Sequence, residues 1–187
     1  VWWWRAPGQN QNVFAIEGFI DEIATASGFD PLEMRRRLLK GKPDWLAVLN
    51  TAAEKGDWGK PLPKGSGRGI AICTDTDSLC AQVAEVSVSP KGEVKVNRVT
   101  VALDTRYQVN PLTIAEQAEG GIIFGLSAAL YGKIELKNGA PVQGNFDTYR
   151  MVRLAQAPKI DVILMPSGGP KWGGAGEPAT PPIAAAV

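Results

Sequence analysis

From Phe14 to Lys55 the apolar residues of this chain recur every three or four positions, and from Gly69 onward they alternate; this change of period most constrains the fold. Phe14, Ile16, Phe19, Ile20, Ile23 and Ala24 mark an amphipathic helix that ends at Gly28 and is entered from an amide-rich turn, Ala6 to Asn12. Asp30-Pro31-Leu32-Glu33 supplies an N-cap, a proline at the first helical position and an acid in the first turn, so a second helix is predicted to reach Leu39. Asp44 is placed to cap a third, Trp45 to Lys55, carrying Leu46, Leu49 and Ala53. Gly56 to Gly67, rich in Gly, Pro and Lys, leads out of the helical part. Strands are then expected at Gly69–Cys73, Gln82–Val88 and Val94–Val101, the last two joined by the turn Pro90-Lys91-Gly92. Asn138-Gly139 marks a further hairpin, Ile134–Lys137 with Pro141–Gln143. Between the hairpins, Asn110 to Tyr131 reads as a helix through Ile114, Ile122, Ile123, Leu126 and Leu130. Helices with mostly antiparallel strands give an α+β chain, divided here into a helical segment, 1–58, and a mixed lobe, 59–187.

The 187 residues, 44% hydrophobic, suffice for a real core. Twenty basic and nineteen acidic residues leave a net charge of +1, a balance that argues against nucleic acid as a partner. Arg35-Arg36-Arg37 with Lys40 and Lys42 is expected to be a solvated helix end. No run approaches the 18 apolar residues of a membrane span, and no secretory leader is seen. The chain has no histidine, which leaves acid–base chemistry to Glu, Asp, Lys, Tyr or Cys. Cys73 and Cys80 match neither a redox pair nor a zinc or iron–sulfur set; two core thiols, or a disulfide across the hairpin, are the open readings.

Two glycine-rich places stand out. Gly120-Gly121 interrupts a helix at a cost of about 1 kcal/mol each relative to Ala, which points to close backbone approach, either to another helix or to a ligand. Gly173-Gly174-Ala175-Gly176-Glu177-Pro178, followed by Thr180-Pro181-Pro182, surrounds one carboxylate with small residues and fixes the exit with prolines. Glu177 is thus a candidate general base, the alternative being a solvated surface loop. Val1-Trp2-Trp3-Trp4 reads as a strand-like run entering the middle of a fold, with Trp4 next to Arg5 able to line a pocket.

Taken in order, Trp4-Arg5-Ala6-Pro7-Gly8-Gln9-Asn10-Gln11-Asn12-Val13-Phe14, Asn110-Pro111 through Gln117-Ala118-Glu119-Gly120-Gly121 to Gly125-Leu126, and Gly174-Ala175-Gly176-Glu177-Pro178 with Pro181-Pro182 resemble three motifs of one family. That family is the molybdopterin-binding part of the large subunit of xanthine dehydrogenases and aldehyde oxidases, in its bacterial branch of isoquinoline 1-oxidoreductase β-subunits and membrane-associated aldehyde dehydrogenases. The resemblance spans nearly the whole chain and covers only the C-terminal part of the family's subunit. It implies that Glu177 is the general base beside molybdenum and that Gln117 lies close to the metal's ligands. Arg5, Gly8, Gln9, Asn10, Gln11, Asn12, Glu119, Gly120, Gly121, Gly174 and Gly176 are then expected to contact the cofactor, with no side chain bound directly to the metal. Amides and bare glycine backbone suit a pterin with its pyrophosphate, since they supply hydrogen bonds without adding charge.

Further implications follow from the same resemblance. The reaction is hydroxylation of an aldehyde to a carboxylic acid, or of an N-heterocycle, with water as oxygen source. The cofactor is molybdenum–molybdopterin in its cytosine dinucleotide form. Partners are the rest of the large subunit, a small iron–sulfur subunit carrying [2Fe-2S] clusters and a cytochrome c subunit, in a periplasmic or membrane-associated setting. A chain that only completes another subunit's fold, and a stand-alone ligand-binding module, are the rival readings. Two departures from the family bear on substrate: Asn145-Phe146-Asp147-Thr148-Tyr149 lacks the histidine many relatives carry there, and Pro7 replaces an aromatic found in some eukaryotic relatives.

Overall fold

The structure, a computed structural model, describes residues 4–187. The expected strand at Val1–Trp4 lies almost entirely outside the described residues; Trp4 itself stacks on Phe124 with ring centroids 4.8 Å apart. Helices α1 (Gln9–Ala26), α2 (Pro31–Leu38) and α3 (Pro43–Lys55) come first. Strands β1 (Ser66–Asp75), β2 (Ser78–Val88) and β3 (Val94–Asp104) form an antiparallel meander. Then come α4 (Pro111–Tyr131), a small hairpin of β4 (Leu136–Lys137) and β5 (Ala140–Pro141), strand β6 (Lys159–Leu164) and a short α5 (Ile183–Ala186). Strand β6 pairs parallel to β3, giving the sheet order β1-β2-β3-β6.

The sheet is covered on both faces, which explains why β2 is buried from Ser78 through Ala84 and does not alternate with solvent. On one face α3 lays Val48, Leu49, Ala52 and Ala53 against Ile70, Ile72, Leu79, Ala81, Val83 and Ala102. On the other, Ile114, Ala118, Ile122 and Leu126 of α4 meet Ala71, Cys73, Cys80, Val99, Val101 and Leu103, joined by Ile183 and Ala186 of α5. The two sets are the odd and even residues of the same strands. Gly69 on β1 admits the α5 backbone, because a Cβ there would collide with the Ala186 carbonyl.

Several expectations need correction. The helix begins at Gln9, so Gln9 to Asn12 are its first turn and not a loop; Gly8 precedes it in the left-handed region at φ 77°. The face of α1 that meets the protein is Val13, Glu17 and Ala24, while Phe14, Ile16, Phe19 and Ile23 are exposed, Phe19 by 62%. A polar contact sets that orientation. Arg35 is buried, donating from Nε to Glu17 Oε2 at 2.8 Å, from Nη1 to Asp21 Oδ1 at 2.6 Å and from Nη2 to the Glu17 carbonyl at 3.1 Å. Glu17 Oε2 also accepts from the Ile72 amide at 2.8 Å, so one ion pair ties α1, α2 and β1 together. Burial pushes the Glu17 carboxyl upward and Arg35 opposes it. Only Arg36 and Arg37 of the arginine run face solvent. Asp30 caps α2 as expected, accepting from Leu32 and Glu33, whereas Asp44 lies in the first turn of α3 and caps nothing. The cysteines face each other across β1 and β2 as free thiols, and burial pushes Cys80 up to about 12. Strand β6 was not expected; its Ile160, Val162 and Leu164 are half-buried and weakly patterned against the polar residues between them.

Candidate active site

Strands β1 and β2 are joined by two residues, Thr76 and Asp77, both at positive φ (48° and 62°), a turn geometry in which Asn-Gly would be the relaxed choice. That turn grips the loop carrying Glu177. The Gly174 amide donates to the Thr76 carbonyl at 2.8 Å, and Ser78 Oγ donates to the Gly174 carbonyl at 2.6 Å. A Cβ on Gly174 would collide with the Thr76 side chain, and one on Gly173 with Ser78 Oγ, so close approach explains both glycines. Further along, the Cys73 thiol donates to the Pro178 carbonyl at 3.5 Å and Gln82 Nε2 to that of Ala179 at 2.7 Å. Glu177 therefore sits, half-buried, on a segment stitched to the sheet on both sides.

Arg5 gathers the three motifs. Its Nε donates to the Gly176 carbonyl at 2.5 Å, and its Nη2 donates to the Gln117 carbonyl at 3.0 Å and to Gln117 Oε1 at 3.2 Å. Burial lowers the Arg5 pKa, and the nearby charge of Glu177 opposes that shift. Gly121 packs beneath this cluster, with space for a Cβ limited by Thr180 Oγ1 at 3.1 Å and Arg5 Nη2 at 3.4 Å. Gly120 is different: a Cβ there would meet only Arg5 Nη1, at 3.8 Å. The tightest helix contact belongs to Gly125, whose Cβ would press on the Thr180 carbonyl oxygen at 2.5 Å and on Ile183.

Not every expected residue faces this centre in the same way. Asn10 Nδ2 is spent on the carbonyls of Arg5 and Ala6, at 2.5 and 2.9 Å, and Asn12 Nδ2 on that of Gly8, at 2.6 Å, so both hold the segment that presents Arg5. Gln9 lines a cavity of about 250 Å³ between α1, α2 and β1, walled by Val13, Ile16, Leu38 and Trp45. Asn10 and Gln11 border another beside Trp4 and Phe14. Glu119 is exposed on α4. Gln117, Gly173 and Ala175 line a cavity of about 260 Å³ with Thr105, Tyr107 and Trp172, the two aromatic rings 4.8 Å apart.

One acid near the site was missed. Asp75, the last residue of β1, is 7% exposed, and its Oδ2 is buried with no hydrogen-bond partner among the described residues. Burial, then the charge of Glu177 and a hydrogen bond to it, raise its carboxyl to about 6. In the sequence it reads as part of a polar turn, and only the pairing of β1 with the distant Gly173–Pro178 loop reveals its neighbour.

This arrangement can be compared with known proteins. The molybdopterin cofactor-binding domain family matches residues 49–158. A membrane-bound aldehyde dehydrogenase (pyrroloquinoline-quinone) of Gluconacetobacter polyoxogenes is 32% identical over 99% of this chain and 26% of its own length. Isoquinoline 1-oxidoreductase subunit beta of Brevundimonas diminuta is 34% identical over 88% of this chain and 22% of its own. The chain thus spans about a quarter of the length of these relatives. Among solved structures, the aldehyde oxidoreductase of Desulfovibrio desulfuricans shares the fold with a TM-score of 0.77 over 98% of this chain and 38% of that one, at 12% identity. The chain belongs to the molybdopterin cofactor-binding domain family, within the molybdenum hydroxylases.

The site's own chemistry fits such a group. Among the described residues, the backbone N–H groups of Ala175, Gly176 and Glu177 donate to no protein acceptor, and Gln117 Nε2 is likewise uncommitted. Free neutral donors around a single guanidinium suit a large polar ligand with an anionic part.

Proposed function

We propose that this chain forms the catalytic-base side of a molybdenum hydroxylase that oxidises an aldehyde to a carboxylic acid. The observation that supports it best is Arg5 joining the Gly176 carbonyl to Gln117, which sets Glu177, uncommitted amides and the glycines of α4 around one centre. Gln117, the amides of Ala175 to Glu177, and Arg5 would hold the cofactor, with Gly120 and Gly121 leaving room for it. Bound there, molybdenum–molybdopterin supplies the redox chemistry. Glu177 takes the proton from the water-derived oxygen as that oxygen attacks the carbonyl carbon, a role worth about 10²- to 10⁴-fold. Arg5 keeps the loop in register and balances the charge of the acid.

Aldehydes are favoured because the likeness to an aldehyde dehydrogenase covers 99% of this chain, and the aldehyde oxidoreductase fold 98%. We assign the cytosine dinucleotide form of the cofactor, an iron–sulfur partner bearing [2Fe-2S] clusters and a cytochrome c acceptor on family grounds. The remainder of the large subunit is proposed to cover the exposed apolar side of α1, Phe14, Ile16, Phe19 and Ile23. The test is metal analysis of the natively purified complex together with turnover of an aldehyde and an N-heterocycle with an artificial electron acceptor. Bound molybdenum and faster aldehyde turnover are expected. A metal-free complex would overturn the cofactor assignment, and turnover of the heterocycle alone would overturn the substrate.

A further inference from the structure

We propose that Asp75 is the proton partner of Glu177: the two carboxyl groups form one proton-sharing pair, and Asp75 sets both the orientation and the strength of Glu177 as a base. The inference rests on Glu177 being the base, and adds a positioning residue on a different strand.

The geometry comes from two contacts that bracket the pair. Cys73 donates to Pro178, and Gly174 donates to Thr76. Asp75 lies between the first and last of the strand residues, and Glu177 lies between the loop residues, so the carboxyls face each other across the join. The Asp75 carboxyl is within hydrogen-bonding reach of Glu177 and of the Thr76 amide. Its buried Oδ2 has no donor among the described residues. A carboxylate oxygen left so is costly, and a shared proton removes the cost.

The surrounding charges leave the pair to itself. Arg5 faces Glu177 from the segment before α1. Cys73 neighbours Asp75 on β1, with Glu17 of α1 on the far side of that thiol. At the solvent edge of the turn Lys171 is engaged by Asp77 at 3.5 Å. With no cation on Asp75, two like charges at neutral pH raise the proton affinity of the pair. When the attacking oxygen loses its proton, the pair changes from two carboxylates to one carboxylate hydrogen-bonded to one acid. The proton passes to bulk water at the end of the cycle, and no electrons move in the step.

The raised Asp75 carboxyl also has a stability consequence. Between its ordinary 3.8 and about 6, the folded protein holds a proton that the unfolded chain has lost, so this group's contribution to stability falls as pH rises through that window. Asp75→Asn removes the dependence.

The experiment uses the complete enzyme complex with ¹³C-labelled aspartate, read by infrared difference titration alongside pH–rate profiles. In the wild type a protonated-aspartate C=O band is expected to disappear as pH rises through about 6, to be absent in Asp75→Asn, and to shift to lower pH in Glu177→Gln. Asp75→Asn is further expected to lower kcat on the order of tenfold and to move the acid limb of kcat/KM to lower pH at unchanged molybdenum content. A pH profile that does not move in Asp75→Asn, or a band that ignores Glu177→Gln, would overturn the proposal. Should Asp75→Asn fail to fold, the Glu177→Gln titration decides alone. Because the infrared band does not depend on turnover, failure of the pair and failure of the base role are told apart.

Discussion

Arg5 and Gly176, 171 positions apart, are joined by a hydrogen bond of 2.5 Å from the guanidinium Nε to the glycine carbonyl. The same side chain reaches the backbone and the amide of Gln117 on α4. Arg5 is thus a planar fork bridging a helix and a loop that contact each other only through small residues. A lysine has the charge but not the fork.

Arg5→Lys is expected to lower molybdenum content several-fold in the purified complex and to cost about 1–2 kcal/mol, because at least one of the bridged acceptors loses its donor. Metal-to-protein ratio and thermal midpoint measure the two effects. Full metal occupancy in this variant would remove Arg5 from the organisation of the site.

The glycines of α4 should separate packing from ligand approach. Gly125→Ala drives a Cβ into the Thr180 carbonyl and Ile183, and is expected to destabilise the fold by about 1–3 kcal/mol. Gly120→Ala meets nothing closer than Arg5 Nη1 at 3.8 Å and improves helix propensity by about 1 kcal/mol. It is therefore expected to hold or raise the thermal midpoint while lowering molybdenum content. Equal loss of stability in both variants would return Gly120 to plain packing.

Much of this was legible in the sequence because it rests on local chemistry. The cap at Asp30, the Asn138-Gly139 hairpin, the meander and the glycines beside Glu177 each declare themselves within a few residues. What the sequence concealed is set by distant partners. The outward turn of Phe14 and Phe19 follows from the buried Glu17–Arg35 pair, and no periodicity reveals that a charged residue will outrank two phenylalanines for the inner face. Strand β6 escaped notice because its pairing with β3 is parallel and reached only after a long crossover. Asp75 looked like a turn residue for the same reason: its neighbour lies about a hundred positions away.

Replacing Glu177 with Gln tests the central claim most directly, since the amide keeps the shape of the carboxylate and cannot take up the proton. The measurement is kcat of the complete complex with its aldehyde, beside molybdenum content on the same sample. A fall of about a hundredfold or more at unchanged molybdenum is the expected result. Turnover within a few-fold of the wild type, with the metal present, would contradict the assignment of Glu177 as the base.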